Sequence, residues 1–290
     1  MKKEKLNITR GAINVAPLIT AKELNAILGQ SHIKIFDVRG TWGTDPRSLY
    51  NDYLWGHIPT ATFLDWRKEF IEQDIAPNLA QVSTYEAAKQ SFKTLGINKE
   101  DTVILYDDYH HMFAGRIWWA MRYWGFKNVR VLNGGYKYWQ LEGLPISQEF
   151  DKTLAGTFEP ICQEHLRVSL PDFLIKKDSA CVLDGRGIAG YNGKPEDPRT
   201  GHIPGAISAA YNSLIDKNTG LFLEKEAIIK LFDETIPNWR TSNIISSCGA
   251  GYSGTVVMIA LANLGIQASL FDGSFSVWKQ DPERPVVQSF

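Results

Sequence analysis

Ile35-Phe36-Asp37-Val38-Arg39-Gly40 returns later in the chain as Val182-Leu183-Asp184-Gly185-Arg186-Gly187. Each copy is a short apolar run closing on Asp-x-Arg, and each precedes a Gly-His-Ile-Pro turn. The first turn is Gly56-His57-Ile58-Pro59-Thr60-Ala61 and the second is Gly201-His202-Ile203-Pro204-Gly205-Ala206. A third pair completes the series: Asn133-Gly134-Gly135-Tyr136 with Trp139, and Asp272-Gly273-Ser274-Phe275 with Trp278. Three matches in the same order, at nearly the same spacing, mean a duplicated domain. The expected organisation is a first domain over 15–145, a linker over 146–166 and a second domain over 167–290. The linker carries Gly156 and Pro160 and shows no sustained period.

Within each half, strand-like and helix-like runs alternate. Residues 34–38, 103–106 and 129–132 read as short buried strands, and 21–28, 85–95 and 114–124 as helices. The second half gives strands over 181–184, 243–247 and 268–271 and helices over 225–232 and 255–264. Strands separated by helices predict an α/β class, with one parallel sheet per half flanked by helices. Ligands in such folds gather at the carboxyl ends of the strands.

At 290 residues the chain has room for two domains, and 44% hydrophobic with 22% charged residues marks it as globular. A formal net charge of −1 gives no electrostatic reason for a nucleic-acid partner. The cysteines, at 162, 181 and 248, form no C-x-x-C pair and are odd in number. That points to a reducing compartment, the cytoplasm, and away from a disulfide framework or a zinc site. The start Met1-Lys2-Lys3-Glu4-Lys5 is basic, but Asn14 and Pro17 break the apolar stretch after it, so no secretory leader is expected. No run approaches the roughly 18 apolar residues of a membrane span.

Cys248 stands where a strand runs out into small residues: Asn243-Ile244-Ile245-Ser246-Ser247-Cys248-Gly249-Ala250-Gly251-Tyr252-Ser253-Gly254. A helical run follows at once, and helix starts favour an anion through free N–H groups and the macrodipole. A free thiol titrates near about 8.5 and reactive ones at roughly 3.5–7.5. A helix terminus supplies at most about 2 kcal/mol, so direct bonds from the amides of 249–254 are expected to do the rest. Taken locally, this pattern fits a buried structural cysteine as well as a nucleophile. Aligning the halves breaks the tie, because Asp107 falls opposite Cys248: the frame is duplicated and the thiol is not.

With the repeats, the Asn/Asp-Gly-x-aromatic ends and the single cysteine loop in view, the chain resembles the tandem-domain rhodaneses. Ala114-Gly115-Arg116-Ile117-Trp118-Trp119 also resembles that family's first-domain helix. The resemblance runs from about residue 15 to about 287. It implies two rhodanese-like domains, the amino-terminal one inactive, and a sulfurtransferase of the thiosulfate or 3-mercaptopyruvate type. Cys248 would take a sulfane sulfur from a small anionic donor as a persulfide. It would then pass the sulfur to cyanide, a thiol or a thiol-carrying protein. No metal or organic cofactor is needed. Gly249, Ala250, Gly251, Tyr252, Ser253 and Gly254 would cradle thiolate and persulfide. Arg186 would contact the donor's anionic group; equally, it reads as a structural ion pair with Asp184 or Asp272, since Arg39 is its twin.

Departures from the family pattern bear on the donor. Cys248-Gly249-Ala250-Gly251 lacks the basic residues that follow the cysteine in thiosulfate-type members. It approaches the Cys-Gly-Ser-Gly of mercaptopyruvate-type members, with Ala250 in place of the serine. The acid associated with that serine is matched by Asp65, but no histidine stands near 74–78. Gly190 takes the place of a second donor-binding arginine, for which Lys194 and Arg199 are the substitutes at hand. A mercaptopyruvate-like donor is therefore preferred to thiosulfate. Phosphatase chemistry is set aside, since Cys-x5-Arg would need arginine where Gly254 stands. His57 and His202 are expected to be structural, His110-His111 to lie in a solvated or inter-domain loop, and the nine tryptophans to be core. The non-catalytic alternative is a persulfide carrier acting on a protein partner.

Overall fold

Short runs of branched and aromatic residues build two parallel five-stranded sheets, one per half. The computed structural model describes residues 15–43, 45–150 and 153–290. Residues 1–14, on which most of the leader reading rests, lie outside them. The first half holds β1 (Leu18–Ile19), β2 (Ile33–Asp37), β3 (Gly40–Thr41), β4 (Arg47–Ser48), β5 (Ala61–Phe63), β6 (Thr102–Tyr106) and β7 (Val129–Leu132). The second holds β8 (Arg167–Val168), β9 (Cys181–Asp184), β10 (Ile207–Ser208), β11 (Ile244–Ser247) and β12 (Ser269–Phe271). Sheet order is β1-β7-β6-β2-β5 in one and β8-β12-β11-β9-β10 in the other, the same topology twice; β3 and β4 form a separate antiparallel pair.

The helices of the first half are α1 (Ala21–Ile27), α2 (Tyr50–Trp55), α3 (Tyr85–Thr94), α4 (Met112–Tyr123) and α5 (Gly135–Leu141). Those of the second are α6 (Leu170–Lys176), α7 (Ile188–Asn192), α8 (Lys225–Thr235), α9 (Ser253–Asn263) and α10 (Ser274–Trp278). Hydroxyl caps start several of them. Thr20 and Glu23 form a reciprocal capping box on α1, and Ser169 accepts from the Asp172 N–H on α6. Strands and helices fall within a few residues of the sequence reading. The edge strands β1, β5, β8 and β10 are too short to show a period and appear only in the structure.

Helix α9 is apolar around its whole circumference and buried on nearly every side, as that pattern requires. It crosses α4 at Gly115, where an added Cβ would come within 2.7 Å of Thr255 Oγ1. Only a residue without a side chain allows that approach. One apolar core consequently runs through both halves, joining Trp118 and Trp119 of α4 to Val256 and Ile259 of α9. Trp139 and Trp278 are buried as expected, but Trp42 is 38% and Trp55 78% exposed, so the tryptophans are not uniformly core. The segment joining the halves is strapped to the first by N–H bonds from Gly156 to the Lys93 carbonyl and from Ile161 to that of Trp124. Among the described residues no helix is long and apolar enough to cross a membrane.

Candidate active site

Strand β11 ends at Ser247, in register with Asp184 of β9, and the chain turns through Cys248–Tyr252 into α9. The turn needs Gly251, whose φ of 88° lies where side-chain-bearing residues are strained. Four hydrogen bonds fix the loop. The Cys248 and Gly249 carbonyls accept from the N–H groups of Phe275 (3.0 Å) and Ser276 (2.8 Å). Ser246 Oγ donates to the Gly254 carbonyl at 2.8 Å and Thr255 Oγ1 to that of Tyr252 at 2.6 Å.

The Cys248 side chain is buried, and its Sγ accepts the Gly251 N–H at 3.1 Å. No side chain caps α9, which leaves its first-turn donors and positive dipole end beside the loop. Of the amides expected to converge on the sulfur, Gly251's is the one within bonding distance. Gly249 is half-buried while Ala250, Gly251, Tyr252 and Ser253 are buried, so the open side of the loop is at Gly249.

Asp107 occupies the corresponding place in the first half. Tyr106 pairs with Asp37 in register as Ser247 pairs with Asp184, so Asp107 and Cys248 both follow the paired residue. The Asp107 carbonyl accepts the Tyr136 N–H at 2.9 Å, matching the Cys248 bond to Phe275. Its side chain accepts the N–H groups of Tyr109 (2.9 Å), His111 (3.0 Å) and Ala114 (2.8 Å). An acidic side chain thus fills the donor set at the start of α4.

Arg186 donates through Nε and Nη2 to Asp184, and through Nη2 to the Gly201 carbonyl at 2.7 Å, lying over the Phe275 ring. Arg39 repeats this with Asp37, the Gly56 carbonyl at 2.7 Å and the Tyr136 ring. Both arginines tie the Gly-His-Ile-Pro turn to a strand end. They differ in exposure, 15% for the Arg186 side chain against 5% for Arg39. The Arg186 stem also passes Gly249, with Cδ 4.0 Å from the position of an added Cβ. Arg186 Nη1 has no hydrogen-bond partner among the described residues.

The remaining candidates scatter. Partial burial raises the Asp65 carboxyl, but hydrogen bonds from Arg67 and Ser48 outweigh it and hold the group below the ordinary carboxylate range. Arg199 is committed elsewhere: its guanidinium donates to the carbonyls of Lys279, Asp281, Pro282 and Arg284 and fastens the end of α10. Lys194 contributes backbone, donating its N–H to Thr200 Oγ1 at 2.7 Å. His57 and His202 bond backbone carbonyls of Tyr53 and Tyr191, and His57 also that of Glu149, so each ring pins its turn to neighbouring segments. Cys162 is exposed in the connecting segment and Cys181 is buried at the start of β9.

Residues of the first half reach the cysteine loop directly. The Tyr252 ring packs against Trp42 (4.7 Å between centroids), Trp66 (5.4 Å) and Phe113 (5.9 Å); burial raises its phenol pKa. Asp272, at the end of β12, is fully buried and joins the halves. It accepts from Arg116 Nη2 at 2.9 Å, from Arg167 Nε at 2.9 Å and from the Val82 N–H at 3.0 Å. Asp272 therefore belongs to Arg116 and Arg167, and the Arg186 pair is with Asp184.

The rhodanese-like domain model matches residues 20–142 and again 170–281. This chain is a tandem rhodanese. It belongs to the tandem rhodanese sulfurtransferases, the family its sequence resembles. It is 30% identical over 268 residues to a 3-mercaptopyruvate sulfurtransferase of Escherichia coli (strain K12), covering 88% of this chain and 92% of that one. A protein of Mycobacterium tuberculosis provisionally named a thiosulfate sulfurtransferase is 32% identical over 277 residues, covering 93% and 96%. The crystal structure of a 3-mercaptopyruvate sulfurtransferase from Escherichia coli superposes with a TM-score of 0.79 at 27% identity, covering 89% of this chain and 98% of that one.

Two clefts flank the second domain of this rhodanese. One of about 360 Å³ lies between the 76–79 turn of the first half and Arg199, Ser276 and Lys279 of the second, next to the Ser276–Gly249 bond. A larger one, about 650 Å³, is lined by His165, Arg167, Lys176 and Arg240 at the amino ends of β11 and β12. Of the two, the smaller lies nearer the cysteine loop, through the Ser276 N–H bond to the Gly249 carbonyl. Neither Lys279 nor the first-half turn carries a motif: the bonds of α10 to the Cys248 and Gly249 carbonyls bring Lys279 near the loop, and the docking of the halves brings the 76–79 turn to the same cleft.

Proposed function

We propose that Cys248 is the nucleophile, that 3-mercaptopyruvate is the preferred donor, and that the first domain is a catalytically inactive scaffold. One observation carries the reading: the place held by Cys248 is filled in the first half by an acidic side chain accepting three N–H bonds. The duplicated frame is built to receive a negative group, and in the second half that group is a thiol. The donor assignment is supported by the loop Gly249-Ala250-Gly251, which adds no cation for a dianion such as thiosulfate.

The thiolate attacks the donor's sulfur, forming an S–S bond as the C–S bond breaks. The leaving pyruvate enolate takes up the proton that the donor thiol loses. Cyanide, a small thiol or a protein thiol then attacks the outer sulfur and releases the Cys248 thiolate. The N–H of Gly251, with those of the first turn of α9 through Gly254, stabilises both anions. Arg186 meets the donor carboxylate through Nη1 at the Gly249 side, and Lys194 and Lys279 add positive charge to the approach. Cellular work of this kind fits the cytoplasm.

Thiocyanate release measured with each donor is the test. Mercaptopyruvate should give the higher kcat/KM, and Cys248→Ala should reduce turnover to background. Turnover surviving Cys248→Ala would remove the assignment of the nucleophile. Failure of both donors, with no extra sulfur on Cys248 by mass spectrometry, would overturn transfer from small donors through Cys248.

A further inference from the structure

Among the described residues, Arg116 is the one cation fully buried against the cysteine loop, and it comes from the other domain. It lies on α4 among apolar residues with no exposed surface. Nη2 donates to Asp272 and to the Ala80 carbonyl, while Nε and Nη1 have no hydrogen-bond partner. The indole face of Trp119 covers part of the guanidinium, 4.6 Å away. Nη1 points at Gly251, where an added Cβ would come within 2.8 Å of it. Gly251 is the residue whose N–H bonds Cys248 Sγ. Buried donors left without partners are costly, and these abut the segment that must hold an anion.

We propose that Arg116 is a positioning residue of the second domain's active site: its charge, delivered across the domain interface behind Gly251, stabilises the Cys248 thiolate and persulfide. This rests on the reading of Cys248 as the nucleophile. The surrounding charges support it. Arg186 is matched by Asp184 and Arg67 by Asp65, so each pair is neutral. The Tyr252 phenol is kept protonated by burial. Lys279 is exposed and screened by solvent. Asp272 is shared between the fully buried Arg116 and the partly exposed Arg167, which leaves the three groups with one net positive charge and Arg116 less than fully neutralised. Charge in such a setting is screened far less than at the surface.

The test titrates the thiol itself on the full chain. Alkylation of Cys248 by iodoacetamide, located by mass spectrometry, is followed against pH. Arg116→Met should raise the inflection by about one pH unit, a roughly tenfold loss of thiolate below it. Arg116→Lys should stay near wild type. Asp272→Asn, which removes the counter-charge and keeps the shape, should lower the inflection. A folded Arg116→Met with an unmoved inflection would overturn the proposal. If that variant does not fold, an unmoved or raised inflection in Asp272→Asn overturns it. Turnover is not read here, so loss of the nucleophile assignment through an active Cys248→Ala remains a separate result.

Discussion

The loop after β6 and the loop after β11 start from equivalent residues, hang from equivalent carbonyl bonds and lead into equivalent helices, yet their contents diverge. In the first, Asp107 takes three backbone N–H groups and completes the start of α4. In the second, Cys248 takes one, and α9 begins uncapped. A filled cradle is structure; a partly filled one can accept developing charge. The fifth residue of each loop crosses to the other half: His111 stacks on Phe222, and Tyr252 packs on Trp42 and Trp66. Counting on from Asp107 and Cys248, Arg116 is matched by Val257. The half without a thiol carries the buried cation, and the half with the thiol has valine there; under the reading proposed above, the first domain lends the second a charge that the second lacks.

The largest expected difference between the loops is in stability. Asp107→Ala strands three N–H groups around a buried position and should cost about 3 kcal/mol or more. Cys248→Ala removes a single weak acceptor and should cost roughly 1 kcal/mol while turnover disappears. Urea unfolding of both variants, compared at equal m-values, checks this; equal losses would break the distinction between structural and chemical loop. Within the Cys248 loop the two glycines should also separate. Gly251→Ala forces a side chain into positive φ and against Arg116 Nη1, costing about 1–2 kcal/mol and cutting kcat severalfold. Gly249→Ala meets nothing nearer than 4.0 Å and should stay within about 0.5 kcal/mol of wild type.

Much of this was readable beforehand because the chain states it twice. Asp37 and Asp184, His57 and His202, and Trp139 and Trp278 mark the same corners of two sheets, and the register places Asp107 opposite Cys248 as the alignment predicts. What stayed hidden depends on how the halves dock. Arg116 reads in sequence as one charge in an apolar helix; only the crossing of α4 and α9 at Gly115 sets it behind Gly251. The Arg186 ambiguity was real, since Arg39 makes the same bonds, and a difference in exposure is visible only in three dimensions. Arg199 looked available because a loop arginine usually is, and four carbonyls of 279–284 claim it. Strands of two residues, such as β8 and β10, have no period to detect.

The smallest effect concerns the crossing residues, which should respond differently to pH. His111 is buried, with Nε2 2.8 Å from the Gly220 carbonyl. Burial lowers its pKa, outweighing the pull of Asp107 toward the charged form. The unfolded chain, whose imidazole titrates near about 6.5, therefore binds the proton more readily than the folded one. Stability should fall as pH drops through that value and level off once the pH is below the folded pKa. Tyr252, the counterpart in the other loop, does not ionise in this range. His111→Gln should accordingly lose less stability than wild type between about pH 7.5 and about 5.5, a difference under about 1 kcal/mol. Parallel losses in urea titrations at the two pH values would show that the proton is taken up elsewhere, and that the two crossing residues are alike in their response to acid.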